Sequence, residues 1–132
     1  YWTQNLYQAN LLKKGAQIFS MTSSGGHRQW PSYGAVSMAK STLESASRQL
    51  AIELASEEIA VNAIQAGVTD TPALRKIPGN EKMLDYANNH NPSGRLTMPE
   101  DIAEYVALLS KSNSSWMTGN ILRIDGGEDI VG

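Results

Sequence analysis

No cysteine occurs in the 132 residues, which excludes disulfides and thiolate metal sites and suits a reducing compartment. Histidine is nearly as scarce. His27 and His90 stand alone, neither with a carboxylate or second imidazole at ligand spacing, so no metal site is expected. No apolar run approaches the ~20 residues of a membrane span, and the N-terminus lacks the basic-then-apolar order of a secretory signal. Charge of one sign does not accumulate either: 11 basic and 13 acidic side chains give a net charge of -2, without the basic runs of a nucleic-acid surface. The expectation is a cytoplasmic protein whose partners are small molecules or proteins, with neither nucleic acid nor membrane among them.

What is present is the composition of a folded domain, 41% apolar and 18% charged. Trp2, Leu6, Ala9 and Leu12 recur near helical spacing and lead into Lys13, Lys14 and Gly15, predicting a first helix that ends there. AQIFSMTSS (16–24) reads as a short buried strand, and SSGGHRQWPS (23–32) as a loop. A long helix is expected from Pro31 or Ser32 to about Ser56, with Val36, Ala39, Leu43, Ala46, Leu50 and Leu54 forming one apolar stripe. IAVNAIQ (59–65) is apolar at nearly every position, the pattern of a parallel strand covered on both faces, and Gly67 ends it. Residues 68–98 hold Pro72, Pro78, Gly79, Pro92 and Gly94 around a short helix near Glu81 to Asn88; a long insertion of this kind reads as a lid or binding loop. A last helix opens on a Thr97-x-x-Glu100 capping pair and carries Ile102, Val106 and Leu109 on one side, and GNILRIDGG (119–127) is a final strand. This alternation implies an α/β fold, a parallel sheet of about three strands with helices on both faces.

One stretch carries chemistry. In PSYGAVSMAK (31–40), Tyr33 and Lys40 are seven residues apart, close to two helical turns, so they share a face with Tyr33 roughly 10 Å nearer the N-terminal end. A tyrosine in a first turn feels the positive end of the helix dipole and can donate to an oxyanion. A lysine beside it can bind sugar hydroxyls and supply positive charge, a pairing suited to reducing a substrate polarised at oxygen. Spacing alone also fits a packed tyrosine and a solvated lysine. Ser23 and Ser24, however, close the preceding strand at the end where open α/β sheets bind ligands. AGVTDT (66–71) follows the next strand and opens onto the same crevice, with Gly67 for close backbone approach and Thr69 and Thr71 for hydrogen bonds to an amide or phosphate.

Taken together, SS to YGAVSMAK, VNAIQAGVTDT and TGNILRIDGG, in this order over about residues 15–127, resemble the C-terminal half of a short-chain dehydrogenase/reductase, part of a Rossmann-type doubly wound sheet. The usual members place tyrosine four residues before the lysine, where this chain has Val36. Tyr-x6-Lys, Ala66-Gly67 in place of proline-glycine, and the long covering segment are similar to the bacterial enoyl-acyl-carrier-protein reductases, most of all their NADPH-using type. The longer spacing is chemically apt. Hydride delivered to a carbon two atoms from the carbonyl carbon leaves charge on the thioester oxygen, so the tyrosine must reach further out. The resemblance implies an enoyl-thioester reductase of fatty-acid synthesis using NADPH or NADH, with Tyr33 on the thioester oxygen and its enolate and Lys40 on the nicotinamide ribose. Thr69 would meet the carboxamide through its backbone, with Gly67 beside it, and Thr71 the pyrophosphate or carboxamide. Ser23 stands where usual members carry a catalytic serine, with a structural strand-ending role as the alternative. No second tyrosine lies near this loop, and Trp30 is the aromatic residue available to fill that space.

The lid contributes Leu74 and Met83 as candidate substrate-lining residues, with Leu84, Met98 and Met117 as further apolar candidates for a groove or for core filling. From 74 to 96 it holds Arg75, Lys76, Lys82 and Arg95 against Glu81 and Asp85, a local excess of positive charge through which Arg75 and Lys76 could meet an acidic acyl carrier protein or simply face solvent. The resemblance also expects a glycine-rich pyrophosphate turn, four earlier strands and an active-site asparagine, none of which these residues supply. The chain is therefore read as a single partial domain, 1–132, lacking the N-terminal dinucleotide-binding half, with 68–98 as its substrate-covering loop. A homotetramer is the assembly implied. The alternatives are a carbonyl reductase of the same superfamily and a non-catalytic interaction module.

Overall fold

The computed structural model describes residues 1–131. Three parallel strands, β1 (Gln17–Ser23), β2 (Ala60–Ala66) and β3 (Ile121–Ile124), form one sheet in the order β1-β2-β3. Gln17 pairs with Ala60 and Ser23 with Ala66, while Ala63 to Ala66 pair with Ile121 to Ile124. As its apolar run implies, β2 is central, buried from Ala60 to Gln65. The buried Asn62 amide is paired at both ends: Nδ2 donates to Met117 O at 2.7 Å and Oδ1 accepts from Asn120 N–H at 3.1 Å, pinning the approach to β3.

The helices are α1 (Trp2–Gln8), α2 (Gly34–Glu53), α3 (Asn80–His90) and α4 (Pro99–Leu109). α1 stops short of the lysine pair. Asn10 adopts a left-handed φ of 59°, and the Asn10 and Leu11 amides bond back to Tyr7 O and Leu6 O, both at 2.9 Å. This is a Schellman stop with asparagine in the usual place of glycine. Gly15, expected as the helix end, instead turns the chain into β1, and its N–H donates to Glu58 O at 2.9 Å.

α2 is the expected long helix, but its packed face is rotated from the apolar stripe. Ala39 and Ala46 are exposed and Val36, Leu43 and Leu50 half-buried; the buried positions are Glu44, Ser47 and Ala51, flanked by Tyr33 and Leu54. The reason is that polar groups of β1 face this helix. Thr22 Oγ1 donates to Glu44 Oε1 at 2.6 Å and Ser20 shares a 2.8 Å bond with Ser47, so small and polar side chains pack where aliphatic ones were expected. Below them Ala51, Leu54, Ile59 and Val61 make the apolar core, bordered by Leu12, Ala16, Ile18 and Leu50. Met21 and Ile64 have the opposite parity to these strand residues and point to the other face. There Pro99 and Ile102 of α4 line one cleft with Met21 and Ala66. α4 carries Ile102, Val106 and Leu109 inward as anticipated. Its cap differs: Met98 is the N-cap residue, and the Asp101 carboxylate accepts the Met98 amide at 2.8 Å, in place of a Thr97–Glu100 pair.

The two faces of α2 should separate in urea unfolding. Leu54→Ala should cost about 2–5 kcal/mol, whereas Ile52→Ala, at a position 75% exposed, should stay within about 0.5 kcal/mol. Equal losses would mean that the helix is packed on the wrong side.

Candidate active site

The in-register pairing of β1 with β2 ends both strands at one level, Ser23 beside Ala66, so the chain segments leaving them open on a common crevice. A cleft of about 610 Å³ lies there. It is lined by Ser23, Trp30, Tyr33, Lys40, Gly67, Thr69, Thr71, Leu74 and Met83, together with Val36, Ile77, Pro99 and Ile102, which sequence reasoning did not single out for a site.

Tyr33 is the N-cap of α2 and only 8% exposed. Its ring packs on Gly25, where a Cβ would lie 2.5 Å from the ring, so glycine is required for the tyrosine to sit this low. The Ser37 hydroxyl donates to Gly25 O and the Ser41 hydroxyl to Gly26 O at 2.7 Å, fastening the SSGG turn (23–26) to α2. The Tyr33 hydroxyl has no hydrogen-bond partner among the described residues, yet it is not among sealed, unsatisfied polar atoms. It therefore opens into the cleft. Lys40, two turns along, lines the same cleft and donates from Nζ to Met21 O at 2.9 Å, which fixes the ammonium and leaves further protons to give.

Ser23 has a visible structural task, its Oγ accepting the Gly25 amide at 3.3 Å. Thr71 is similarly engaged, with Oγ1 accepting the Leu74 amide at 3.1 Å to start a 3₁₀ turn over Leu74–Lys76. Thr69 differs: its hydroxyl donates to Gly67 O at 3.1 Å, while its peptide N–H and C=O make no hydrogen bond among the described residues. A free donor and acceptor side by side complement a carboxamide, and with the Lys40 ammonium nearby this donor set fits a nicotinamide riboside. Gly67 has a more local reason than approach to a ligand. A Cβ there would lie 2.3 Å from Thr97 Oγ1 and 3.0 Å from Glu128 Oε2.

Trp30 meets Tyr86 edge-on at 5.9 Å between ring centroids, and Tyr86 stacks on His90 at 4.0 Å, so the loop before α2 is braced against α3 of the lid. Of the methionine and leucine candidates in and around the lid, Met83 and Leu74 reach this cleft; Met117 lines a different cavity along β3, and Leu84 and Met98 line neither. Arg75 and Lys76 are outside it too. Arg75 is held by Asp70 through two 2.7 Å bonds, and Arg95 by Asp101 at 2.6 and 2.7 Å. Both acids lie outside 74–96, so the positive excess of the lid is offset in space.

Charged groups that sequence reasoning missed gather outside this cleft, around the turn that follows β3. The Asp129 side chain, 3% exposed, receives Arg28 at 3.1 Å and Arg123 at 3.2 Å and lies 3.0 Å from His27 Nε2. Burial pushes its carboxyl up, but the bonds from Gln65 and His27 and the charge of Arg28 outweigh that and hold it below the usual value. Burial likewise pushes the Glu128 carboxyl up, against the Val68 amide that bonds it. These partners lie up to 102 residues apart, and no local motif announces them.

Residues 3–128 match the sequence model of the family described as Enoyl-(Acyl carrier protein) reductase. The chain belongs to that family. It is 34% identical over 122 residues to the enoyl-[acyl-carrier-protein] reductase [NADH] FabI of Nostoc, covering 92% of this chain and 47% of that protein. Against the same-named Escherichia coli protein it is 31% identical over 122 residues, again 92% and 47%. Among solved structures, FabI from Candidatus Liberibacter asiaticus superposes with a TM-score of 0.87 at 30% identity, covering 99% of this chain and 51% of that one. The Bacillus cereus enoyl-acyl carrier protein reductase, solved with NADP+ and indole naphthyridinone, gives 0.88 at 27% identity, with 98% and 51% covered. The chain thus spans about half the length of the curated relatives it matches. Those relatives are named for NADH, so the likeness does not single out the NADPH-using type.

Within this reductase-family chain, two measurements check the base of the lid. The Asp101 carboxyl should titrate at about 2 instead of its ordinary 3.8, lowered first by the Arg95 bonds and then by the Met98 amide. Because this folded-state value is depressed, the contribution of the pair to stability is present above the ordinary value and is lost as pH falls through about 2. A carboxyl resonance that titrates near its ordinary value would show that the clamp is not formed in solution. Gly67→Ala should lower stability by about 1–3 kcal/mol through overpacking against Thr97 and Glu128, read as a fall in melting temperature, whereas Gly79→Ser meets nothing within 4 Å and should show only the smaller strain of its left-handed φ.

Proposed function

We propose that the protein is an NAD(P)H-dependent enoyl-thioester reductase acting on acyl-carrier-bound 2-enoyl substrates in fatty-acid synthesis, and that residues 1–132 form its substrate-side half. The observation that carries this reading is the free Tyr33 hydroxyl, set with Lys40 in a cleft whose far wall is apolar. The family match supports it.

A bound nicotinamide supplies hydride to the β carbon of the enoyl thioester. The work of this chain is to hold the substrate and take up the charge that develops on the thioester oxygen. Tyr33 donates a hydrogen bond to that oxygen, a bond that strengthens as enolate character grows and so favours the transition state over the ground state. Its place at the start of α2 adds the positive end of the helix dipole. Lys40, tethered at Met21, binds the ribose hydroxyls and adds positive charge. Thr69 offers its free peptide groups to the carboxamide. Trp30, Leu74, Ile77 and Met83 give the acyl chain an apolar, water-poor wall, which strengthens every polar contact inside. Ser23 and Thr71 keep the two strand-end turns in shape and can still donate from their hydroxyls.

Carrier docking belongs to the same reading, with Lys76 as the cation that Asp70 leaves unclaimed beside Arg75. So does self-association toward a tetramer, for which the exposed Met38 and Ile52 on the outer face of α2 offer apolar surface. No helix among the described residues is long and apolar enough to cross a membrane, in keeping with work in the cytoplasm.

With the complete protein, crotonyl thioester should be reduced and acetoacetyl thioester should not. Tyr33→Phe should lower kcat about 10²–10³-fold, the scale for losing one oxyanion donor, with little change in nicotinamide cofactor affinity. Reduction of the ketone alone would transfer the assignment to a carbonyl reductase, and failure to bind either cofactor to an interaction module. Arg75→Glu with Lys76→Glu should raise KM for carrier-bound substrate and leave the coenzyme A analogue unchanged; equal effects would remove carrier docking from the reading.

A further inference from the structure

Beneath the cleft, the turn after β3 reaches back to the end of β2. Glu128, 7% exposed, takes the Val68 amide on both carboxylate oxygens, at 3.2 and 3.0 Å. The Val68 carbonyl accepts the Thr97 amide at 3.2 Å. Both peptide groups of Val68 are thus committed, one to the C-terminal turn and one to the end of the lid. The turn is itself anchored: Asp125 accepts the Gly127 and Asp129 amides at 2.9 and 3.1 Å, and Asn91 Nδ2 donates to Asp125 O at 2.9 Å. The next residue along the chain is Thr69, whose peptide N–H and C=O make no hydrogen bond among the described residues.

A buried carboxylate is costly compared with an apolar side chain of the same size. The upward push on the Glu128 carboxyl from burial is a sign of that cost. An apolar residue could fill the volume, but it could not hold the Val68 amide. Without that bond the Gly67–Val68 peptide loses its partner and the Val68–Thr69 peptide is steadied by the Thr97 amide alone, because the strand pairing of β2 with β3 ends at Ala66 and Ile124, with one more bond from Gly67 N–H to Ile124 O at 3.3 Å.

We propose that Glu128 is a positioning residue for nicotinamide binding: by holding the Val68 N–H while Thr97 holds the Val68 C=O, it keeps Val68 in the one conformation that aims the peptide N–H and C=O of Thr69 at the carboxamide. This rests on the reductase reading for the identity of the ligand. It assigns to a residue outside the cleft a share of the affinity for one part of the dinucleotide only.

The test uses the complete protein and equilibrium binding, with NADH and NADPH followed by nicotinamide fluorescence, and ADP-ribose and its 2′-phosphate, which lack the carboxamide, by calorimetry. Glu128→Ala should weaken binding of the preferred reduced dinucleotide about tenfold, the scale of a lost hydrogen bond to a charged group, and leave the matching ADP-ribose compound within about twofold. Glu128→Gln keeps a carbonyl oxygen for the Val68 amide and should stay within about threefold of wild type for both ligands. If Glu128→Ala does not fold, Glu128→Asp, which withdraws the acceptor by one methylene, should give the same split. Equal weakening of both ligands, or no weakening of either, overturns the proposal. Wild-type protein that binds neither dinucleotide overturns the reductase reading as well, whereas intact binding with no crotonyl thioester reduction sinks the substrate assignment and leaves the role of Glu128 standing.

Discussion

The parallel pairing of β1 with β2 is the constraint on which the rest of this structure depends. Seven residues of β1 match seven of β2 without offset, so the chain leaves both strands at the same height, and most of what lines the cleft comes from the strand ends and the two segments that follow. A slip of one residue would turn every side chain of β1 to the opposite face. Thr22 and Ser20 would then leave Glu44 and Ser47, α2 would lose the bonds that set its rotation, and Tyr33 and Lys40 would no longer share a crevice with Thr69. Register therefore reaches the chemistry through the polar face of one helix.

That polar face explains an otherwise odd feature. α2 packs through Glu44 and Ser47 where a helix of a soluble domain would usually present aliphatic residues. The apolar contribution comes mainly from its C-terminal end, where Ala51 and Leu54 join Ile59 and Val61. The N-terminal end is tied down by directed bonds to the SSGG turn and to β1. Directed bonds tolerate little rotation, which suits an end that must aim a tyrosine and a lysine. The lid is built on a similar division. Its tip carries apolar residues toward the cleft, and its base is closed by Arg95 with Asp101, Thr97 with Val68, and Asn91 with Asp125.

The strands, the long helix, the short helix within residues 68–98 and the Tyr33–Lys40 pair on one cleft could all be read from the chain, because each rests on local periodicity or on a fixed spacing along one helix. The departures have local physical causes as well. α1 ends at Asn10 because asparagine tolerates the left-handed conformation that terminates a helix, and the lysine pair beyond it carries no such information. The cap of α4 lies one residue later than the Thr97 motif suggested because Asp101 can serve both the Met98 amide and Arg95, while Thr97 is drawn into the strand-end bonds around Val68.

By itself the sequence determined the element types, their parallel order and the pairing of a tyrosine with a lysine on one helical face, since these follow from spacing within a dozen or so neighbours. Only the tertiary structure decided which face of α2 is packed, that Arg75 is claimed by Asp70, that Ser23 and Thr71 hold turns together, and that Glu128 and Asp129 gather partners from other segments just outside the cleft. The packed face of α2 and the bonds of Glu128 and Asp129 depend on partners brought together from distant parts of the chain, which leave no period in the sequence for a reader to find, while the bonds of Asp70, Ser23 and Thr71 are local but depend on turn conformations that residue type alone does not fix.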